Sequence, residues 1–168
     1  VKLFVIMVGG YPPGSHLEVH DVRFHVAERV EDTFATLKRE WWGGEDRFHL
    51  DAFGALEWAD GHDIVIADEP PAGASEARLF FVHLGGYDPS VFGELHREVF
   101  VAAKDARAAK SRALRLAKGW ASPHRDAVAE VEAVTPVKDR RIHLVPNEEE
   151  RPFRFEARYM PFPKEASA

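Results

Sequence analysis

Leu3 to Val8 form an unbroken apolar run rich in Val and Ile and closed by Gly9-Gly10, the pattern of a short strand buried on both faces at the centre of a sheet. Gly9-Gly10-Tyr11-Pro12-Pro13-Gly14 reads as a loop, in which glycine supplies positive φ and proline ends the ladder. Leu17 to Val26 alternates. The alternation puts Glu18, His20, Val22, Phe24 and Val26 on a face predicted to turn inward, against Leu17, Val19, Asp21, Arg23 and His25 on the other. From Val30 the period changes, and Val30, Phe34, Leu37 and Trp41 mark one face of a helix that stops at Gly43-Gly44. His49-Leu50-Asp51 leads into Ala55 to Trp58, and Asp60-Gly61 is the tight turn of a hairpin returning through His62 to Ile66. Residues 1–66 therefore read as a β-β-α-β-β unit.

The Pro-, Ala- and Glu-rich stretch 67–77 has the composition of a solvated linker, and the same plan then recurs over 78–145. Shifting the chain by 76 positions aligns Leu3 with Leu79, Phe4 with Phe80, Gly9-Gly10-Tyr11 with Gly85-Gly86-Tyr87, Pro13 with Pro89, Glu18 with Glu94, His20 with His96 and Phe24 with Phe100. These are nine identities in 23 positions, where ordinary usage gives roughly one or two. Asp105 is a predicted N-cap for a helix running to Gly119. A shift of 75 then aligns His49 and Asp51 with His124 and Asp126, and a shift of 78 aligns Ile64 with Ile142. In the remaining arm, 146–168, Phe153, Phe155 and Tyr159 alternate with charged residues as in a strand. Such an arm is ordered only by docking, on its own domain or on a second subunit to make a homodimer. The expected class is α+β, a tandem repeat with mainly antiparallel sheets, the two units packed about a pseudo-twofold axis because neither closes a core alone.

Composition narrows the function classes. A chain of 168 residues with 45% hydrophobic and 30% charged residues suits a globular, soluble protein. It has no cysteine, which excludes disulfides, thiolate metal sites and cysteine nucleophiles. No apolar run is long enough for a signal core or a membrane span, so the expected location is the cytoplasm. The net charge of −6 argues against a nucleic-acid partner. Helix 104–118 is the local exception, with Lys104, Arg107, Lys110, Arg112, Arg115 and Lys118, and reads as a solvated face before it reads as an RNA-binding one.

The residues that carry chemistry recur: Glu18, His20, His49 and Asp51, then Glu94, His96, His124 and Asp126. Residues i and i+2 on a strand share a face about 7 Å apart, so Glu18 and His20 can point into one space, and so can His49 and Asp51 if extended. Such a convergence suits a divalent zinc, iron or manganese ion, with His20, His49 and Asp51 as ligands and Glu18 as a general base. Against this stands a buried Glu–His pair that sets strand register, and no dense metal motif calls for a cofactor. The Gly9-Gly10-Tyr11 and Gly85-Gly86-Tyr87 turns are binding candidates together with Glu94 and His96. A phosphate reading is weakened because a strand, not a helix N-terminus, follows each turn.

The VGGY and LGGY turns, the E-x-H-D-V-R-F strand at Glu18 to Phe24 and the H-L-D at His49 resemble a family of small bacterial proteins, domain of unknown function 1543, which carry one or two copies of the unit. The resemblance spans residues 2 to 145 and implies no particular activity, cofactor or catalytic residue. The second unit departs from the family's pattern, reading His96-Arg97-Glu98-Val99-Phe100, so Asp21 and Arg23 have counterparts in neither position. Taken together, these features favour a binding or interaction module with an unidentified ligand or protein partner. The alternative is a metal-dependent, hydrolase-like enzyme, and whether catalysis occurs is left open.

Overall fold

The apolar run at the N-terminus becomes β1 (Lys2–Gly10), a central strand buried on both sides and paired antiparallel with β2 (Val19–Ala27) and β3 (His49–Ala55). The computed structural model describes residues 1–44, 47–135 and 140–162. The glycine pairs are strand residues and not loops. Gly9 and Gly10 lie opposite His20 and Val19, and Gly85 and Gly86 occupy a second strand in the same way. None of the four has positive φ. The ladder continues through them because what they supply is the absence of a side chain.

Between β2 and β3 the chain makes a 3-10 turn (Val30–Thr33) and α1 (Phe34–Glu40), shorter than the predicted helix. Trp41 turns extended, with φ −71° and ψ 126°. Val30, Leu37 and Trp41 pack on Phe4, Ile6, Val8 and Leu50 to form the core of this region. The helix thus covers the face of β1 carrying Phe4, Ile6 and Val8, and His25, opposite Phe4, is buried there. The face carrying Glu18 and His20 is the other one, and of the residues predicted to turn inward only Phe24 is fully buried.

β4 (Trp58–Ala59) and β5 (His62–Ala67) form the predicted hairpin, with Asp60 at φ 51° and Gly61 at φ 79° in its turn. β6 (Arg78–Tyr87) is the centre of a second sheet, flanked by β7 (Leu95–Ala103) and β8 (Ala121–Glu130). α2 (Ala106–Leu114) is capped by Asp105, whose carboxylate accepts from the Ala108 N–H, and packs Ala109 and Ala113 on Phe80, Val82 and Val101. A short helix not foreseen, α3 (Val131–Val134), precedes β9 (Arg141–Pro146), which pairs with β5. β10 (Glu156–Pro161) is the last strand among the described residues and pairs antiparallel with β3. The class is α+β, with mostly antiparallel sheets and few helices.

By contacts the chain divides into one unit of Val1–Leu56 with the chain from Phe153 onward, and another of Glu57–Pro152. In the first, the arm docks on its own chain. It extends the sheet to the order β10-β3-β1-β2, and Phe162 stacks on Phe48 at 4.4 Å between centroids. In the second, Asp60 ties the β4-β5 turn to its neighbours, accepting from the Ala102 N–H at 2.8 Å and pairing with Arg112. Within 67–77, the Ser75 N–H donates to the Leu144 carbonyl at 2.7 Å, so this stretch is fastened to β9. Among the described residues, no helix is long and apolar enough to cross a membrane.

Candidate metal centres

Each of the two large sheets carries the same constellation over a glycine of its central strand. In the first unit His49 stands opposite Gly9 on β3, and the β1–β3 register shifts just beyond it, between Met7 and Val8. The shift is a bulge at Asp51, which keeps Asp51 beside His49 while later residues change phase. β8 repeats this, with His124 opposite Gly85 and a shift at Asp126.

The side chains converge. His49 Nε2 lies 2.8 Å from Glu18 Oε1 and 3.2 Å from Asp51 Oδ1, and His20 Nε2 lies 3.1 Å from Asp51 Oδ2 and 4.0 Å from Glu18 Oε2. In the second unit His124 Nε2 lies 2.8 Å from Glu94 Oε1 and 3.2 Å from Asp126 Oδ1, with His96 Nε2 3.2 Å from Glu94 Oε2 and 3.6 Å from Asp126 Oδ2. All eight residues picked from the sequence are thus in two clusters of four. A Cβ at Gly9 would meet Asp51, Glu18 and His49 at 2.5 to 3.0 Å, and one at Gly85 would meet Asp126, Glu94 and His124 at 2.6 to 2.8 Å. Only glycine leaves room for the carboxylates to close over the strand.

The protonation logic is set by the backbone. His49 Nδ1 lies 2.5 Å from the Arg47 carbonyl and His124 Nδ1 lies 2.9 Å from the Ser122 carbonyl, so in both rings Nδ1 donates and Nε2 is turned toward two carboxylates. Arg47 and Ser122 both hold left-handed backbone, φ 59° and 48°, a conformation that costs a non-glycine residue about 1 kcal/mol or more. His62 makes the same contact with Asp60 but joins no such cluster among the described residues. It is the convergence that sets the two centres apart. Glu18 Oε1, Asp51 Oδ2 and Glu94 Oε1 are shielded from solvent and have no hydrogen-bond partner. Three or four acceptors facing one another need a proton or a cation between them. The His124 imidazole is accordingly raised above its ordinary value, first by its hydrogen bond to the Ser122 carbonyl and then, against partial burial, by the charges of Asp126 and Glu94.

Around these clusters lie aromatic residues whose place beside them period and spacing did not show, Trp120 among them not singled out at all. Trp41 fills the space over Gly10, where a Cβ would come within 2.8 Å of the indole, and Trp120 does so over Gly86 at 2.6 Å. The second glycine of each pair therefore admits an indole, and the first admits the carboxylates. Tyr11 lies under the Arg47 guanidinium at 5.2 Å. Tyr87 stacks on His124 at 6.0 Å, and its phenol is raised, first by the charge of Glu94 and then by its hydrogen bond to that carboxylate. Tyr159 of β10 lies 4.4 Å from the His49 ring, and the His49 side chain is 3% exposed against 41% for His124. A cavity of about 560 Å³ lined by Arg78, Glu130, Glu132 and Arg141 contains none of the cluster residues. Two ion pairs lie on its wall, with Arg78 2.6 Å from Glu130 and Arg141 3.0 Å from Glu132, and the further acids Asp68, Glu69 and Glu76 line it as well.

No curated protein matches this chain. Among solved structures it is similar to a protein Il1583 from Idiomarina loihiensis, at 31% identity and a TM-score of 0.73 over 97% of this chain and 99% of that one. Residues 15–66, which include Glu18, His20, His49 and Asp51, match the Domain of Unknown Function family DUF1543. On this profile match and this relative, the chain belongs to the DUF1543 family.

Proposed function

We propose that the protein is a metal-dependent enzyme of hydrolytic type, which binds a divalent first-row metal at Glu18, His20, His49 and Asp51 and again at Glu94, His96, His124 and Asp126. One observation carries the reading. Glu18 Oε1 is 2.8 Å from His49 Nε2, yet it is shielded from solvent and has no hydrogen-bond partner. Ligands held at about 2.1 Å from one ion stand about 3.0 to 3.4 Å apart, at right or tetrahedral angles. In the first cluster the separations of 3.1 and 3.2 Å fall in this range, while 2.8 Å lies just below it and the 4.0 Å between His20 Nε2 and Glu18 Oε2 above it.

Two imidazoles and two carboxylates suit zinc, iron or manganese, and their two negative charges balance the ion. Glu18 would then serve as a ligand, and a bound metal would supply the nucleophile by acidifying a water. His20, with a side chain 47% exposed against 3% for His49, lies on the solvent side of the first cluster, and in the second the side chains of His96 and His124 are 43% and 41% exposed, so approach is open as a catalytic centre requires. The tandem-repeat reading is supported by β5 and β9, which pair antiparallel with Val65 opposite His143, the residue 78 positions on. Strands related by a twofold pair in this manner.

Elemental analysis of protein purified without chelator and dialysed against Zn²⁺ or Mn²⁺, with His20→Ala and His49→Ala alongside, tests the proposal. The expected result is at least one bound metal per centre, with each variant losing the first centre's share. A metal-free wild type whose variants are only less stable would contradict it and favour the non-catalytic binding module.

A further inference from the structure

The two centres are not equivalent, and a further difference between them lies in a cross-strand pair. In the first unit Met7 stands opposite Val22, both apolar. At the positions 76 residues later, His83 stands opposite Glu98. His83 Nδ1 lies 3.2 Å from Glu98 Oε1, and its Nε2 lies 3.9 Å from Asp126 Oδ2. A carboxylate on Nδ1 fixes the tautomer that leaves Nε2 as a lone pair, the arrangement by which a protein orients a ligating histidine. His83 is also stacked on His96, with centroids 4.7 Å apart and planes at 24°, so the two rings present their nitrogens side by side.

Around Asp126 the side chains therefore sort into two sets. Glu94, His124 and Asp126 have ligand atoms within reach of one another, and so do His83, His96 and Asp126. The two oxygens of Asp126 face different sets: Oδ1 is 3.2 Å from His124, whereas Oδ2 is 3.6 Å from His96 and 3.9 Å from His83. A carboxylate presenting one oxygen to each of two ligand sets is the bridge of a two-metal site, in which the ions stand about 3.5 to 4 Å apart.

We infer that the second centre holds two divalent metals bridged by Asp126, one on Glu94 and His124 and the other on His83 and His96, whereas the first centre holds one. The inference rests on the metal reading of the clusters. A paired site of this composition stabilises charge on both the attacking and the leaving oxygen of a phosphoester or a similar doubly coordinated oxyanion substrate. The second centre would take substrates of that class, and the first, without the extra histidine, would not hold them between two ions.

The test is equilibrium dialysis of the full chain against Mn²⁺ with parallel electron paramagnetic resonance, on wild type, His83→Met and Glu98→Gln. Methionine is the residue found at position 7, so the first variant copies the first centre. Wild type is expected to bind one more equivalent than His83→Met and to show an exchange-coupled Mn²⁺ pair that the variant lacks. Glu98→Gln should weaken the extra equivalent by about tenfold or more while leaving the others in place. Equal stoichiometry in wild type and His83→Met, with only isolated Mn²⁺ signals, would overturn the two-metal site and leave the single-metal reading standing. Failure of wild type to bind any Mn²⁺ would overturn both.

Discussion

Gly9 lies so close beneath Asp51 that a Cβ atom on it would stand 2.5 Å from the carboxylate oxygen Oδ2. Its neighbour Gly10 has the same relation to a different partner, since a Cβ there would stand 2.8 Å from the Trp41 indole. The two glycines should therefore fail differently. Gly9→Ala displaces a half-buried carboxylate that can swing toward solvent, so the fold should survive while metal affinity at the first centre falls by about tenfold or more. Gly10→Ala pushes on a buried indole and should cost about 1 to 3 kcal/mol of stability. Urea denaturation and metal titration on both variants check the contrast, and equal stability losses would contradict it.

Tyr159 is what distinguishes the exposure of the two buried-end histidines. Its ring covers His49 at 4.4 Å from a bulge where the β10–β3 register shifts between Ala157 and Met160. In metal-free protein, Tyr159→Ala should raise the rate of His49 modification by diethylpyrocarbonate toward that of His124, read by peptide mass spectrometry. An unchanged rate would mean that His49 is shielded by other groups.

Asp60 is a stability determinant outside both centres. It occupies left-handed backbone at φ 51° and accepts from the Ala102 N–H at 2.8 Å. Asp60→Ala leaves that N–H unpaired and places alanine in a disfavoured conformation, a loss of about 2 to 4 kcal/mol. Arg112→Ala removes only a pair whose arginine is 49% exposed, and should cost no more than about 1 kcal/mol. Chemical denaturation of the two variants should give this order.

His25 makes stability depend on pH. Its side chain is 6% exposed and its Nε2 lies 3.3 Å from Glu40 Oε2. Burial holds the imidazole below its ordinary value, the charges of Arg23 and Arg39 act in the same direction, and Glu40 opposes them. The unfolded chain protonates near pH 6.5 and the folded one only lower, so this contribution is complete above pH 6.5 and is lost as pH falls toward the folded value. In chelator, the drop in urea midpoint from pH 7.5 to 5.5 should be smaller in His25→Leu than in wild type. An identical drop would remove His25 from the account.

The members of each cluster were legible in the sequence because strand period puts Glu18 with His20, and His49 with Asp51. The glycine pairs read as turns in the sequence because glycine signals a turn in most contexts. Here its use is to let carboxylates and indoles approach the strand, which only the three-dimensional neighbours reveal. The inward face of β2 was misassigned for a similar reason. Glu18 to Val26 alternates cleanly, but which face α1 covers is decided by Phe4, Ile6 and Val8 on the neighbouring strand. The place of Tyr159 over His49 and the part of His83 left no local signal, since one arrives by pairing across more than 100 residues of sequence and the other matters through its contact with Glu98 and Asp126.

The most direct measurement is anomalous X-ray scattering from crystals grown with Mn²⁺. A manganese peak within about 2.0 to 2.3 Å of Glu18, His20, His49 and Asp51 atoms is the predicted result. Full-strength protein density at that position with no anomalous peak, and His49 Nε2 donating a hydrogen bond to Glu18, would contradict the metal centre.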